Sequence, residues 1–545
     1  MQNPGKWGYL NSSSSFKILR VHYSGMNGIL INVIVHSAFC VVINVGGLRM
    51  KIMVVIKNSI KWLIPLALGF CVAVGFAHLW NKREKNVVRS AKVDYKIPKE
   101  KIRKIVLDNG MSILLFQDKS TPRVLVQIAY DIGSAIEDSG ERGLAHLIEH
   151  MIFKGTDKLT ESDIDAIARK FGASLNAFTC NDATSYYFEA DKANWKPFVD
   201  ILADCMQNSR FDEQHLASEL KTVIQELNMY KDKHTRMMFE KAFELVFPAS
   251  HPYHFPIIGY KEELASLSAA RLKDFYKKYY HPNRAALFIV GDIDLDQAEA
   301  YARKNFEPVP KYEGPEIERK FHEMVPSLTS QSLKMYEGIQ KEWLGLFWLI
   351  PGTKSGKHAV AEAAEEIIGG SEGSRLHRRL VDEDMIADGV MSRAEQLSEN
   401  GVFAIFVCPK EGMRERCLEV VNEEILKIVN NGVTEEEVAN VVTGRVTSFF
   451  HELESPRDLV HEWFTSYFET GDEEAVFRRP SEYNSLESSM VQDYVKKYLD
   501  PFNANKIELL PLPESKKPIW EDAKAREVKI EEAILQNSYN YMNGQ

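Results

Sequence analysis

The sequence lacks three features that would place it in a specialised class. Its six cysteines include no Cys-x-x-Cys pair, which excludes a disulfide scaffold and a cysteine-based zinc finger. It has no basic run, and its net charge of −10 argues against general binding to a nucleic-acid backbone. Nor is it of low complexity, because 45% of its residues are hydrophobic and 26% are charged. A folded protein of several domains is therefore expected.

A long uncharged hydrophobic run occurs only near the N-terminus. Residues 62–80 read WLIPLALGFCVAVGFAHLW, with lysine and arginine on both sides. This stretch is long enough to cross a membrane as a helix, and it also fits a long signal peptide or a buried core helix. A second run, 29–45, is either a first membrane pass or sequence upstream of a start at Met50. We expect 1–50 to be an extension and 51–95 a signal peptide or membrane anchor.

This N-terminal pattern also predicts where the protein resides. A signal peptide or anchor directs the chain to export or to a membrane, and the bacterial periplasm or cell envelope fits best. Contact with the membrane is expected through residues 62–80 if that segment is kept.

The rest of the chain shows strand and helix patterns in a repeated order. Asn109-Gly110 lies between two β-rich runs and predicts a hairpin, and Thr160 is a predicted N-cap for a helix over 161–171. The further strands and helices are expected over 124–132, 287–291, 344–350, 359–368 and 402–407. Prolines among charged residues predict a linker over 307–327.

These patterns predict two related α+β domains, 100–306 and 328–510, with mostly antiparallel sheets and packed helices. The tail, 511–545, is either a docking helix or disordered. We expect Cys180, Cys205, Cys408 and Cys417 to be core thiols.

Candidate chemistry concentrates in GLAHLIEHMIFKGT, residues 143–156. On a helix His146 and His150 share a face, so both imidazoles can reach one ion, and Glu149 stands beside that ion. His-x-x-Glu-His is the inverted form of a zinc-peptidase motif. A catalytic zinc needs a third protein ligand. Glu219 and Glu226 are seven residues apart on a predicted amphipathic helix and therefore face the same way, although a solvated acidic face would show the same spacing.

With 75 residues between His150 and Glu226, the sequence resembles the pitrilysin and insulinase peptidases, particularly their mitochondrial-processing-peptidase-like branch. The resemblance covers about residues 103–505. Its further motifs are FGASLNAFTCNDATSYYFEA (171–190), HPYHFPIIG (251–259), YYHPNRAALFIVGDID (279–294) and GGSEGSRLHRRL (369–380).

The resemblance implies a zinc-dependent endopeptidase that hydrolyses peptides or unfolded polypeptide segments. One zinc ion per chain would be held by His146, His150 and Glu226. Glu149 would be the general base acting on a water bound to that zinc, and Glu219 would support the site. Asn176 and Ala177 match the edge strand along which the substrate is laid, where pairing is through the backbone.

The second predicted domain departs from the family pattern. Relatives carry an arginine and a tyrosine that stabilise the bound substrate, but Val381 and Asp388 occupy those positions here. Either the alignment is shifted by a few residues or a partner chain supplies the pair. Because one such chain is half of the family's clamshell chamber, the resemblance implies a homodimer, or a heterodimer with a related subunit that carries the Arg/Tyr pair.

Two classes of function follow. The first is the zinc endopeptidase, and the second is a non-catalytic scaffold or a subunit that depends on a partner. A degenerate scaffold is expected to have lost at least one of the four motif residues, and all four are present.

His251, His254 and His281 flank prolines and aromatic residues and are interpreted as loop or packing residues. Arg375 is expected to have a structural role.

Overall fold

The computed structural model describes the backbone of residues 17–19, 32–36, 40–45 and 48–53, and then residues 99–231, 233–314 and 330–542. The chain divides into two compact units, 1–89 and 90–545. The first unit contains an antiparallel sheet in the order β1-β2-β3-β4. Its strands are β1 (Lys17–Leu19), β2 (Asn32–His36), β3 (Cys40–Val45) and β4 (Leu48–Met53).

Strands β2 and β3 fall within the hydrophobic run 29–45 discussed above. Residues 32–36 and 40–45 are β-strands, and the choice between a first membrane pass and upstream sequence for 29–45 stays a prediction. The uncharged stretch 62–80 lies outside the described residues and stays a prediction. Among helices of the described ranges, none combines the length and apolar character needed to cross a bilayer.

The second unit is built on two sheets. The six-stranded sheet has the order β5-β6-β10-β7-β9-β8. Its strands are β5 (Ile102–Val106), β6 (Ser112–Gln117), β7 (Arg123–Tyr130), β8 (Ser174–Thr179), β9 (Thr184–Asp191) and β10 (Ala285–Gly291). The five-stranded sheet has the order β11-β15-β12-β14-β13. Its strands are β11 (Ser332–Glu337), β12 (Trp343–Pro351), β13 (Ala387–Gln396), β14 (Asn400–Pro409) and β15 (Asn505–Pro511).

Apart from β5, the two sheets have the same topology. In each, the first and last strands in sequence pair in parallel, β6 with β10 and β11 with β15. The remaining neighbours pair antiparallel in the same spatial order. This shared topology confirms the prediction of two related, mostly antiparallel α+β halves.

The helices of the first half carry the candidate site. They are α1 (Leu144–Met151), α2 (Glu161–Lys170), α3 (Lys196–Asn208), α4 (Glu213–Lys231), α5 (His234–Val246), α6 (Lys261–Leu264), α7 (Ala269–Tyr279) and α8 (Leu295–Phe306). The later helices are α9 (His358–Glu365), α10 (Arg375–His377), α11 (Arg414–Asn431), α12 (Glu435–Leu453), α13 (Pro456–Thr470), α14 (Arg479–Asn484), α15 (Ser488–Tyr498) and α16 (Lys517–Met542).

Local sequence signals account for several element boundaries. Thr160 caps α2 in a capping box with Asp163, as predicted. The hairpin at Asn109-Gly110 also forms, but its loop is longer than a two-residue turn, since the Leu107 N–H donates to the Met111 carbonyl. Of the predicted core thiols, Cys205, Cys408 and Cys417 are buried, whereas Cys180 is half-buried.

Each sheet is covered on one face by a helix from the other half. Trp463 and Phe464 of α13, in the second half, lie in one buried cluster with Leu125 of β7 and Phe288 of β10. Conversely, Met238 of α5 lies in a buried cluster with strands of the second sheet. Burial of these apolar side chains makes each half depend on the other.

The tail is a helix that docks on the protein, so the disordered alternative is wrong for residues 517–542. Ile534 of α16 is buried in the core of the first half. Most of the predicted linker lies outside the described residues, and the domain limits stay a prediction.

Trp463→Ala should test the dependence of the first half on α13. Trp463 is fully buried against the first sheet, so the cavity should lower the free energy of unfolding by about 3–5 kcal/mol. Urea unfolding followed by circular dichroism, with hydrogen exchange on both sheets, should show one cooperative transition. Phe502→Ala, at a 73% exposed position, should change stability by less than about 0.5 kcal/mol. Separate unfolding of the two halves would contradict the prediction.

Candidate metal centre

The helix that carries the histidine motif is anchored at its N-terminus by a buried carboxylate. Glu137 accepts hydrogen bonds from the N–H groups of Gly143 (2.9 Å) and Ala145 (2.7 Å). These are donors that the first turn of a helix leaves unsatisfied. Burial raises the pKa of the Glu137 carboxyl to about 8, and the two backbone hydrogen bonds oppose that rise. Gly143 has a φ of 93°, and a Cβ atom there would stand 2.7 Å from the Ile258 carbonyl oxygen. The start of α1 is therefore closely fixed.

The structure brings together the three residues proposed as ligands. The rings of His146 and His150 on α1 have centroids 4.8 Å apart, and α4 places Glu226 beside both. Glu226 Oε2 is 3.5 Å from His146 Nε2 and 3.5 Å from His150 Nε2. One donor atom from each residue falls within 4.8 Å of the others.

These separations suit a zinc ion. Two donors that each lie 2.0–2.2 Å from a tetrahedral zinc ion stand about 3.3–3.6 Å apart. Two imidazoles and one carboxylate are also a ligand set found in catalytic zinc sites, which leave a position open for water. The distances from Glu226 to the two histidines and the chemistry of the three donors therefore fit zinc.

Hydrogen bonds orient one of the two histidines. Glu219 Oε2 lies 3.1 Å from His150 Nδ1, and Lys154 Nζ lies 2.9 Å from the other oxygen, Oε1, of Glu219. A carboxylate on the second ring nitrogen fixes the tautomer of a ligating histidine and raises its basicity. By contrast, Nδ1 of His146 is buried and has no hydrogen-bond partner among the described residues.

The charges around the site give the two histidines opposite pKa shifts. Burial and the nearby charge of His150 lower the pKa of His146 to about 4. Burial also lowers the pKa of His150, but hydrogen bonds to Glu219 and Glu226 outweigh it and raise the value to about 9. The hydrogen bond with His150 lowers the pKa of Glu226 to about 2. In the metal-free protein at neutral pH, His146 is thus neutral and His150 protonated.

Glu149 lies beside this cluster in a different environment. Burial raises the pKa of its carboxyl, and the Thr179 hydroxyl donates to Glu149 Oε2 at 2.7 Å. A raised pKa brings a carboxylate closer to the range in which it can both accept and return a proton.

Strand β8, which carries Asn176 and Ala177, ends the spatial order of the first sheet. The Ala177 N–H donates to Asn176 Oδ1 at 2.8 Å. Thr179, at the end of the same strand, contacts Glu149. The strand edge therefore runs toward the candidate metal centre.

The positions that the resemblance compares with the family's Arg/Tyr pair lie in the second half. Met385, in the loop just before Asp388, is the only non-glycine residue of the described part with a positive φ, 52°. Such a backbone is more readily adopted by glycine, and the choice between a missing Arg/Tyr pair and a shifted alignment stays a prediction. Asp388, at the tyrosine position, pairs with Lys341 at 2.7 Å.

Other sequence candidates occupy structural positions. His251 Nδ1 accepts from the Tyr253 N–H, His254 Nδ1 lies 2.7 Å from the Phe247 carbonyl oxygen, and His281 Nε2 lies 2.9 Å from that of Lys278. Arg375 donates two hydrogen bonds to the Glu437 carboxylate, which agrees with its expected structural role.

Sequence reasoning missed three residues that contact side chains of the candidate site, Glu226, Glu219 and Glu149. Tyr230 donates to Glu226 from one helical turn later, a spacing readable from the sequence. Lys154 is likewise one turn beyond His150. No sequence spacing indicates Thr179, because it comes close to Glu149 only when the sheet forms.

This combination of a two-half α+β fold and a His-His-Glu cluster is that of a metallopeptidase. The family model described as Insulinase (Peptidase family M16) matches residues 112–249, which contain all three proposed ligands. The model described as Peptidase M16 inactive domain matches residues 266–444. The chain belongs to the pitrilysin and insulinase family of zinc peptidases, M16.

Relatives show how widely the similarity extends. "Zinc protease PqqE" of Helicobacter pylori is 24% identical over 411 residues, covering 75% of this chain and 92% of the relative. Mitochondrial-processing peptidase subunit beta of Saccharomyces cerevisiae is 30% identical over 209 residues, 38% of this chain and 45% of the relative. The structure of the periplasmic protease PqqL from Escherichia coli superposes with a TM-score of 0.62 at 17% identity, covering 82% of this chain and 51% of PqqL.

Glu219→Gln should weaken zinc binding by about 10- to 100-fold, because the orienting charge on His150 is lost. Chelator competition on the purified protein measures the change. Glu436→Gln, at an exposed position of α12, is the control and should bind zinc like the wild type. Equal affinities of the wild type and Glu219→Gln would contradict the role of Glu219.

Zinc affinity should also rise with pH. A ligand imidazole must be neutral, so binding displaces the His150 proton below about pH 9, while His146 is already neutral. Affinity should therefore increase up to about tenfold per pH unit between pH 6.5 and 8.5.

The metal-free protein should show the opposite trend in stability. Since the folded-state pKa of His150 is raised, its contribution is full below about pH 6.5 and is lost as pH rises through 9. Chelator competition and thermal unfolding across this range test both trends, and a flat affinity profile would contradict the assignment.

Proposed function

We propose that this protein is a zinc-dependent endopeptidase that hydrolyses peptides or unfolded polypeptide segments. The observation that carries the proposal is the cluster of His146, His150 and Glu226 with the half-buried carboxyl of Glu149 beside it. Membership of a family whose relatives are named zinc proteases supports it.

The three ligands would hold one zinc ion per chain, with Glu219 orienting His150. When bound, zinc supplies Lewis-acid polarisation of a carbonyl and a lower pKa for water. The chain's own contribution is to hold two neutral imidazoles and one carboxylate in place, which at neutral pH requires His150 to release its proton.

Glu149 would act as the general base. Its carboxylate takes the proton of the attacking water and then delivers it to the nitrogen of the leaving amine. The hydrogen bond from Thr179 orients Glu149 Oε2, and burial raises its pKa toward the working range. Catalysis of this kind needs the same group to be ionised before attack and protonated before the amine leaves.

The substrate would lie along the open edge of β8. Ala177 directs its N–H to Asn176 Oδ1, so this donor is available to a peptide once the asparagine side chain turns away. Backbone pairing of this kind selects extended or unfolded segments with little regard for side chains.

A second module is expected to complete the site. Val381 and Asp388 replace the arginine and tyrosine that stabilise substrate in relatives, and an aspartate would repel a developing oxyanion. The chain aligns with about half of PqqL, and the yeast relative is one subunit of a processing peptidase. We therefore propose a homodimer, or a heterodimer in which a related subunit supplies the Arg/Tyr pair.

The alternative is a partner-dependent or non-catalytic subunit. It is favoured by the match of the second half to a model described as an inactive domain.

For location, we propose export or membrane anchoring, most simply in a bacterial periplasm or envelope. The apolar stretch 62–80 and the periplasmic relative PqqL support it.

Glu149→Gln should reduce kcat by about 10² to 10⁴, because the general base is lost while the ligands stay. Cleavage of a quenched-peptide library, together with zinc content per chain, measures both properties. If the enzyme is self-sufficient, the wild type and Glu149→Gln should both contain zinc, and only the wild type should cleave peptides. Zinc without cleavage by the wild type would favour the partner-dependent alternative, and absence of zinc would contradict the ligand assignment.

Ala177→Pro should raise KM for peptides without changing zinc content. Proline removes the N–H that faces the open edge and leaves the β9 side of the strand intact. Loss of one backbone hydrogen bond should lower kcat/KM about 2- to 10-fold. Phe502→Ala, exposed in the second half, is the control. An unchanged kcat/KM would argue against binding along β8.

A further inference from the structure

The short helix α6 contacts α4 and the residues that lead into α1, the two helices that carry the proposed ligands. Glu263 Oε2 accepts from the Arg142 N–H at 3.1 Å, immediately before α1. On the same helix, Lys261 Nζ donates to Asn228 Oδ1 at 2.9 Å. Asn228 lies on α4, two residues beyond Glu226. The relative placement of the two ligand helices therefore depends on α6.

Lys261 occupies an unusual environment for a lysine. Its side chain is only 5% exposed, and a buried ammonium is costly unless it is paired and hydrogen-bonded. Its ionic partner is Glu531, which comes from the C-terminal helix α16. The charge of Lys261 thus ties three helices together at one point.

Helix α16 spans both halves of the second unit. Near its start, Trp520 Nε1 donates to Glu337 Oε2 at 3.0 Å, at the end of β11 in the second sheet. Further along, Ile534 lies in the same buried cluster as Leu220 and Leu227 of α4. The helix that supplies Glu531 is therefore held by the second half while it packs against a ligand helix.

We propose that Lys261 is a positioning residue of the metal centre and that α16 is the strap that holds it. This inference rests on the proposed function, because it concerns the same zinc ligands. Through Asn228, Lys261 holds the end of α4 that carries Glu226 and Tyr230. Through Glu263, the same short helix holds the start of α1. A shift of α6 would move Glu226 relative to the two histidines.

The test uses the full chain with three substitutions. Lys261→Met removes the bonds to both Asn228 and Glu531, whereas Asn228→Ala removes only the link to α4 and keeps the buried ion pair. Lys192→Met is the matched control, since Lys192 pairs with Asp292 at 2.6 Å and contacts neither ligand helix. Zinc affinity by chelator competition and the visible spectrum of bound Co²⁺ are measured well below each unfolding midpoint.

A positioning role predicts about tenfold weaker zinc binding and an altered Co²⁺ spectrum for Lys261→Met and Asn228→Ala, with the control unchanged. Asn228→Ala keeps the test decisive if Lys261→Met does not fold. Wild-type affinity and spectrum in the variants, with only a lower unfolding midpoint, would overturn the inference and leave the proposed function standing. A wild-type chain that binds no zinc would overturn both.

Discussion

The structure depends on the exchange of covering helices between its two halves. Helix α13 of the second half buries Trp463 against the first sheet, and α5 of the first half buries Met238 against the second. A sheet with one bare apolar face is not stable in water, so neither half has a complete core by itself. The two related halves are therefore expected to unfold together as one unit.

The candidate metal centre is positioned by helices that contact both halves. Helix α5 begins only three residues after α4 ends, so the segment carrying Glu226 leads directly into the helix that covers the other sheet. At the opposite end, α16 returns from the second sheet to pack on α4. The position of Glu226 relative to the histidines of α1 is thus set by contacts from both halves.

Because the two halves share a topology, corresponding helices can be compared between them. Helix α1, between β7 and β8, carries the two histidines, whereas the corresponding α9 between β12 and β13 carries one histidine and no motif. Asp388 on β13, at the position where the resemblance predicts a tyrosine, pairs with Lys341. The first half carries the candidate metal ligands, and the corresponding helix of the second half carries no such motif. This difference is consistent with the proposal that a second module completes the site.

The sequence alone determined the histidine motif, the seven-residue spacing of Glu219 and Glu226, and the repeated order of strands. These are local properties, because helical and strand periodicities show which side chains share a face. Only the tertiary structure decided which helix covers which sheet, and that Lys261, Thr179 and the C-terminal helix meet the site. Such contacts join residues up to 270 positions apart, and they follow from burial and charge pairing in the folded chain rather than from any local pattern.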